Sequence, residues 1–334
     1  MKAVGYCEAG GVEVLTDLEI PRPIPGPRDL LVSVRAVSVN PVDVKRRAFE
    51  APAPGSDVRV LGYDASGVVE AVGEAVTLFQ PGDEVFYAGA MDRPGTNAEF
   101  HLVDERIVGP KPKSLTFAEA AAMPLTTITA WEILFDRMRI PRRAETPTGT
   151  LLILNGAGGV GSMMIQLATR LTGLTVIATA SRPESAHWVR RLGAEHVADH
   201  SRPIDAAIEA IGFGGVDYLA AITTTPGSAP ALARAMNPQG HINFIDNFDE
   251  SIALFKPKSL TISWEMMFTR SLFETPDMAA QHRLLKEVAA LVDEGVLKTT
   301  LTHVSGPINA EALRAAHLLV ESGHTLGKVV LEAA

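Results

Sequence analysis

Short alternations of apolar and polar residues, cut by Pro and Gly, fill the chain up to residue 125 or so. Strands are expected at 30–39, 67–72 and 83–87, with reversals at Gln80-Pro81-Gly82-Asp83 and an extended stretch at 21–27. The pattern turns helical from Ser114, the expected N-cap, through the alanine-rich run 117–123. A second helix is expected over 125–138. Strand and helix then alternate: strands at 151–154, 174–180, 196–198, 216–222, 241–245 and 260–264, with helices between them. One such helix covers 183–192, with Pro183 in its first turn and Gly193 as its stop. Six strands joined by crossover helices imply a parallel, doubly wound α/β sheet. An amphipathic helix over 277–295, a helix over 309–321 and a strand over 328–331 complete the chain. No internal repeat or low-complexity tract is present.

The run Leu151-Leu152-Ile153-Leu154-Asn155-Gly156-Ala157-Gly158-Gly159-Val160-Gly161 carries the strongest chemical signal. A buried strand meets a glycine-rich turn, and a helix opens with Val160, Met163, Met164, Leu167, Ala168 and Leu171 on one face. Strand, G-x-G-x-x-G and helix in this order form a dinucleotide-binding fingerprint. Gly156 permits the tight turn, Gly158 lets the backbone approach a pyrophosphate, and Gly161 lets helix and strand pack closely. The phosphates would rest on the backbone of Gly158, Gly159, Val160 and Gly161 at the helix N-terminus.

Composition narrows the remaining classes. A chain of 334 residues, 46% hydrophobic and 21% charged, is a soluble globular protein of two domains. A net charge of −9 argues against nucleic acid or an anionic membrane as partner. The single cysteine, Cys7, excludes an internal disulfide and any cysteine-built zinc site, which fits a reducing cytoplasm. The N-terminus shows no signal-peptide pattern.

Several segments together make the chain resemble the medium-chain dehydrogenase/reductase superfamily over nearly its full length. They are Leu61-Gly62-Tyr63-Asp64-Ala65-Ser66-Gly67-Val68-Val69-Glu70-Ala71-Val72-Gly73, Pro81-Gly82-Asp83-Glu84-Val85, Thr129-Ala130-Trp131, the glycine turn and Gly327-Lys328-Val329-Val330-Leu331. Within it, Val39-Asn40-Pro41-Val42-Asp43 is similar to the quinone oxidoreductase branch. Trp264-Glu265-Met266-Met267-Phe268-Thr269-Arg270 resembles proteins described as zinc-type alcohol dehydrogenase-like. The resemblance implies a mainly β, GroES-like catalytic domain at 1–125 and 271–334, and a Rossmann cofactor domain at 126–270. It also implies a homodimer joined through the Rossmann sheet edge at 259–264. Zinc-dependent members place Cys within 40–43, Gly-His-Glu at 62–64 and a further Cys in the cofactor domain. Here those places hold Asn40, Tyr63, Asp64 and no cysteine, so no metal is expected.

Cofactor choice is read at the end of the second Rossmann strand, where an acid would hold the two ribose hydroxyls of NAD. Ser181-Arg182 stands there instead, a hydroxyl and a guanidinium suited to the 2′-phosphate of NADPH. Ile245-Asp246 ends a strand at the carboxyl edge, so the backbone of Ile245 is a nicotinamide contact candidate. By resemblance, Thr129 lies near the nicotinamide and His200 near the adenosine. A helix-interior threonine and a surface histidine remain open alternatives. Lys328 is either a neighbour of the cofactor or a solvated lysine.

Tyr63 occupies the place of a zinc-ligating His, and its phenol is a candidate donor to a substrate carbonyl. Asn40 and Lys45 are placed by analogy on a loop facing the same cleft, with Asp43 paired to Lys45 or Arg46. Trp264 and Phe268 either wall an apolar pocket or pack in the core or at a dimer edge. The expected activity is hydride transfer from NADPH to a quinone or an α,β-unsaturated carbonyl, in a cleft between the domains. Alcohol/carbonyl dehydrogenation and non-catalytic NADPH binding are the alternatives.

Overall fold

Strand and helix bounds follow from where the apolar runs begin and stop. The computed structural model describes residues 1–142 and 149–333. Two compact units divide the chain: Met1–Ile128 with Phe268–Ala334, and Thr129–Met267.

The first unit opens with β1 (Lys2–Tyr6), β2 (Thr16–Glu19) and β3 (Asp29–Val39), then α1 (Pro41–Phe49). There follow β4 (Arg59–Val60), β5 (Asp64–Val72), β6 (Glu84–Ala88), β7 (Phe100–Asp104) and β8 (Val108–Pro110). Two short helices come next, α2 (Phe117–Ala121) and α3 (Pro124–Trp131); the unit boundary after Ile128 falls within α3, and the π-helical turn that continues it, Glu132–Arg137, belongs to the second unit. After the second unit, the chain resumes with α8 (Thr269–Leu272), α9 (Ala280–Asp293), β15 (Leu301–Pro307), α10 (Ala310–Glu321) and β16 (Lys328–Glu332). The C-terminal β16 pairs antiparallel with β3, setting Val329 opposite Val39. In all, β15, β16, β3, β5, β6 and β8 form one sheet, with β7 also on β3.

Local signals account for the helix ends here, including two that depart from expectation. The segment expected as a loop at 40–45 is helical: Asn40 is the N-cap, Pro41 takes the first helical position, and the Asp43 side chain accepts from the Asn40 N–H at 2.8 Å. Thr116, not Ser114, caps α2 through a reciprocal box with Glu119. Ser114 instead donates to the Asp293 carboxylate from its N–H and its hydroxyl.

The second unit holds β9 (Gly149–Ile153), α4 (Gly159–Leu171), β10 (Leu174–Thr179), α5 (Pro183–Leu192), β11 (His196–Ala198) and α6 (Ile204–Glu209). It continues with β12 (Val216–Ala221), α7 (Ala229–Ala235), β13 (Met236–Phe244) and β14 (Thr261–Trp264). All six strands are parallel in the order β11-β10-β9-β12-β13-β14. The order reverses direction at β9, which places the switch point beside the glycine turn. Leu152, Ile177, Leu219, Ile242, Phe244 and Phe255 fill the core on one side of the sheet. Each contributes about 1.5–3 kcal/mol by leaving water. Gly193 ends α5 at φ 117°, a conformation that a side chain resists. Among the described residues, no helix is long and apolar enough to cross a membrane.

Candidate cofactor cradle and active site

In the second unit, the chain leaves β9 through Asn155, which adopts a left-handed conformation at φ 55°. A Cβ at Gly161 would lie 2.5 Å from the Asn155 carbonyl oxygen and 2.6 Å from that of Gly156. Backbone atoms cannot yield that space, so helix α4 approaches the strand only with glycine there. At Gly156 a Cβ would meet the Ala178 Cβ at 2.8 Å. Gly158 is the N-cap of α4. Among the described residues, no acceptor meets the N–H groups of Gly159, Val160 and Gly161. Three free donors at the positive end of a 13-residue helix make a cradle that fits a pyrophosphate.

Thr179, His200, Ser181, Arg182 and Ile245 lie at the same carboxyl edge of the sheet. The Thr179 hydroxyl at the end of β10 accepts from the Asn155 N–H at 2.9 Å and lies 3.1 Å from His200 Nδ1. Ser181 and Arg182 lie just past β10, and Arg182 is the N-cap position of α5. The Ser185 hydroxyl accepts from the Arg182 N–H at 3.2 Å, which orients the backbone there. Ile245 directly follows β13. Thr129 is buried within α3.

In the first unit, Lys328 lies in a buried polar network. Its Nζ donates to the Val39 carbonyl at 3.0 Å, to Asn40 Oδ1, and to Asp64 Oδ2 at 3.2 Å. Asp64 also accepts from the Ser38 hydroxyl, the Asn40 amide and the Leu125 N–H, each at 2.7 Å. Asp43 accepts from the Gly62 N–H at 3.0 Å as well as from Asn40. Asp64 is wholly buried and Lys328 is 3% exposed, so the charges persist there because they are paired. Burial pushes the Asp43 carboxyl up to about 7, against the Asn40 N–H and the Lys328 charge. Burial likewise lowers the Lys328 ammonium, and Asp64 opposes it. Both ends of the Asn40 amide are held inside the protein. Asp43 is a helix cap rather than a partner of Lys45 or Arg46, and Lys45 is exposed on α1.

Tyr63 is 2% exposed, with its ring edge-on to Phe268 at 5.1 Å. Its phenolic oxygen accepts from Arg46 Nη1, which also donates to the Met91 carbonyl at 2.8 Å. Arg46 Nε and Nη2 hold the Glu50 carboxylate at 2.8 Å. Burial raises the Tyr63 phenol well above its ordinary value, with Arg46 pulling the other way, so it stays protonated at neutral pH. The Tyr63 O–H finds no acceptor among the described residues. By contrast, the Tyr6 hydroxyl donates to the Glu50 carbonyl at 2.9 Å, and that of Tyr87 lies 3.1 Å from His101 Nδ1. A buried donor without an acceptor is rare enough to demand a reason. Arg46 is not among the site residues expected from the sequence, because a loop at 40–45 gives its side chain no fixed direction. The Asn-Pro-x-Asp start signal would have put residues 43, 46 and 47 on helical turns. Trp264, at the end of β14, is 48% exposed.

Among the described residues, no group of three or more His, Cys, Asp and Glu is arranged to hold a metal ion. Residues 26–129 match the alcohol dehydrogenase GroES-like domain family, and residues 192–331 the zinc-binding dehydrogenase family. The zinc-type alcohol dehydrogenase-like protein SAR2277 of Staphylococcus aureus is 42% identical over 314 residues, covering 93% of this chain and 92% of that protein. The 2-methylene-furan-3-one reductase of Solanum lycopersicum is 31% identical over 349 residues, covering 99% of this chain and 79% of that one. The crystal structure of a putative zinc-dependent alcohol dehydrogenase protein from Rhizobium etli superposes with a TM-score of 0.95 at 54% identity, covering 100% and 98% of the two chains.

Proposed function

The chain belongs to the medium-chain dehydrogenase/reductase superfamily, in its quinone oxidoreductase-like branch, and as such is an oxidoreductase; from that premise we propose that it reduces α,β-unsaturated carbonyls or quinones with NADPH and without a metal. The bound cofactor supplies the hydride. The free N–H groups of 159–161 hold the pyrophosphate, and Ser181 and Arg182 meet the 2′-phosphate, which an acid there would repel. His200, Thr129 and the Ile245 backbone contribute the remaining cofactor contacts.

The observation that carries the reading is the unpaired Tyr63 O–H. A hydride added to a conjugated acceptor pushes charge onto its oxygen, and a neutral phenol donates a hydrogen bond to that oxygen. Delocalisation spreads the charge, so one modest donor suffices where a saturated alkoxide would need a Lewis acid. The superfamily's metal positions are spent on other bonds: Asn40 on Asp64 and Lys328, Tyr63 on Arg46. Their replacement by these non-ligands supports metal independence.

We also read the protein as a cytoplasmic homodimer with no nucleic-acid or membrane partner. Among the described residues β14 is the outer strand of its sheet, paired with β13 alone, and Trp264 and Met266 are exposed beside it. Light scattering at micromolar concentration should give twice the chain mass.

The deciding experiment is steady-state NADPH oxidation against a panel of quinones, enones, aldehydes and alcohols, with elemental analysis of the same sample. Turnover of enones or quinones without stoichiometric zinc is expected. Rapid NADP-dependent alcohol oxidation with no enone or quinone turnover would overturn the reading.

A further inference from the structure

Three of the tyrosines are buried; the hydroxyl protons of Tyr6 and Tyr87 have partners, and that of Tyr63 has no acceptor among the described residues. The difference lies in what reaches each oxygen. A guanidinium can donate but cannot accept. Arg46 therefore occupies a lone pair of the Tyr63 oxygen and forces the phenolic hydrogen to point elsewhere.

The arginine is itself well fixed. Its backbone is in α1, whose start is held by Asn40 and Asp43, and its guanidinium is tied to Glu50 and to the Met91 carbonyl. Glu50 is shared with Arg59 at 2.8 Å, and the Asp43 carboxyl also acts on the phenol, so two guanidinium groups and two carboxyls surround it. Of these, the Arg46 guanidinium alone is bonded to the phenol oxygen, and it favours the charge that oxygen gains when it gives up part of its proton. Phe268 limits movement of the ring.

We propose that Arg46 is a positioning residue that makes Tyr63 a one-way hydrogen-bond donor to the substrate oxygen. This rests on the reading of Tyr63 as that donor. Arg46 touches no reacting atom; it fixes which way the phenolic hydrogen points and strengthens the bond it can offer.

A double-mutant cycle separates the two claims. Arg46→Gln, Tyr63→Phe and the double variant would be assayed with NADPH and an enone that the wild type turns over. Tyr63→Phe is expected to lower kcat by about 10²–10³-fold, the usual loss of an oxyanion donor. Arg46→Gln should lower kcat at least 10-fold with little change in the KM for NADPH, where "10-fold" is about 1.4 kcal/mol. In the Tyr63→Phe background, the arginine change should cost no further activity. Arg46→Lys, which keeps a charged donor, should recover part of the loss and controls for folding. As a readout independent of turnover, the NMR signal of ¹³Cζ-labelled Tyr63, assigned by its loss in Tyr63→Phe, should move in Arg46→Gln. An unchanged kcat in Tyr63→Phe defeats the donor reading itself. Equal losses from Arg46→Gln with and without the phenol, or a ¹³C signal that does not move, defeat the positioning role while leaving the Tyr63 donor standing.

Discussion

Lys328→Met is the most exposed test of how the first unit holds its shape. The substitution keeps the aliphatic stem and removes an ammonium that binds the Val39 carbonyl, Asn40 Oδ1 and Asp64 Oδ2. Asp64 then remains wholly buried with three neutral donors, Ser38, Asn40 and Leu125, and no opposing charge. Removing one member of a buried ion pair costs about 3–5 kcal/mol, because the other charge stays desolvated. Asp43 adds to this: its carboxyl, already pushed up to about 7 by burial, loses a cation that lowers it, and its role as cap of α1 weakens. At about 2–4 °C per kcal/mol for a unit of this size, Tm should fall by about 6–20 °C. Differential scanning calorimetry reads this directly. The Asp64→Asn/Lys328→Met double variant removes both charges and should melt above Lys328→Met. A fall below about 2 °C, or a double variant no more stable than the single, would show that the pair is not carried as a buried charge couple.

Arg182→Ala should weaken NADPH binding by about 10- to 150-fold, the value of a charge-assisted phosphate contact of about 1.5–3 kcal/mol, and leave NADH nearly unchanged; fluorescence titration of both cofactors decides it. Gly161→Ala sets a methyl 2.5–2.6 Å from two backbone carbonyls, so it should cost at least about 1–3 kcal/mol in chemical denaturation and abolish measurable cofactor binding. Stability should also fall on the alkaline side. Burial first, and the neighbouring Glu132 charge next, push the Glu265 carboxyl up to about 9 against Arg137, so the folded chain keeps a proton that the unfolded chain releases above about 4.5. Folding therefore loses free energy as pH rises from that value through about 9, and Glu265→Gln should flatten this part of a Tm-against-pH curve.

What the sequence determined by itself was local in origin. The glycine turn, the six Rossmann strands and the α5 stop at Gly193 were legible because each is set by a few adjacent residues: an apolar run, a left-handed φ, a proline at a first turn. The same local logic holds at α1, where Asn40, Pro41 and Asp43 spell a helix start. Thr116 displaced Ser114 as a cap because the reciprocal Glu119 stands three residues after it, while Ser114 found Asp293 far along the chain. Tertiary structure alone decided the partners of the buried charges. Lys328 meets Asp64 across 264 positions because β16 pairs with β3, which also pairs with β5. Arg46 meets Tyr63 because α1 packs where β5 begins. Local conformation is fixed by sterics within a few bonds, whereas a buried charge must take whichever partner the docking of whole elements brings within reach, and that docking is a sum over the entire core.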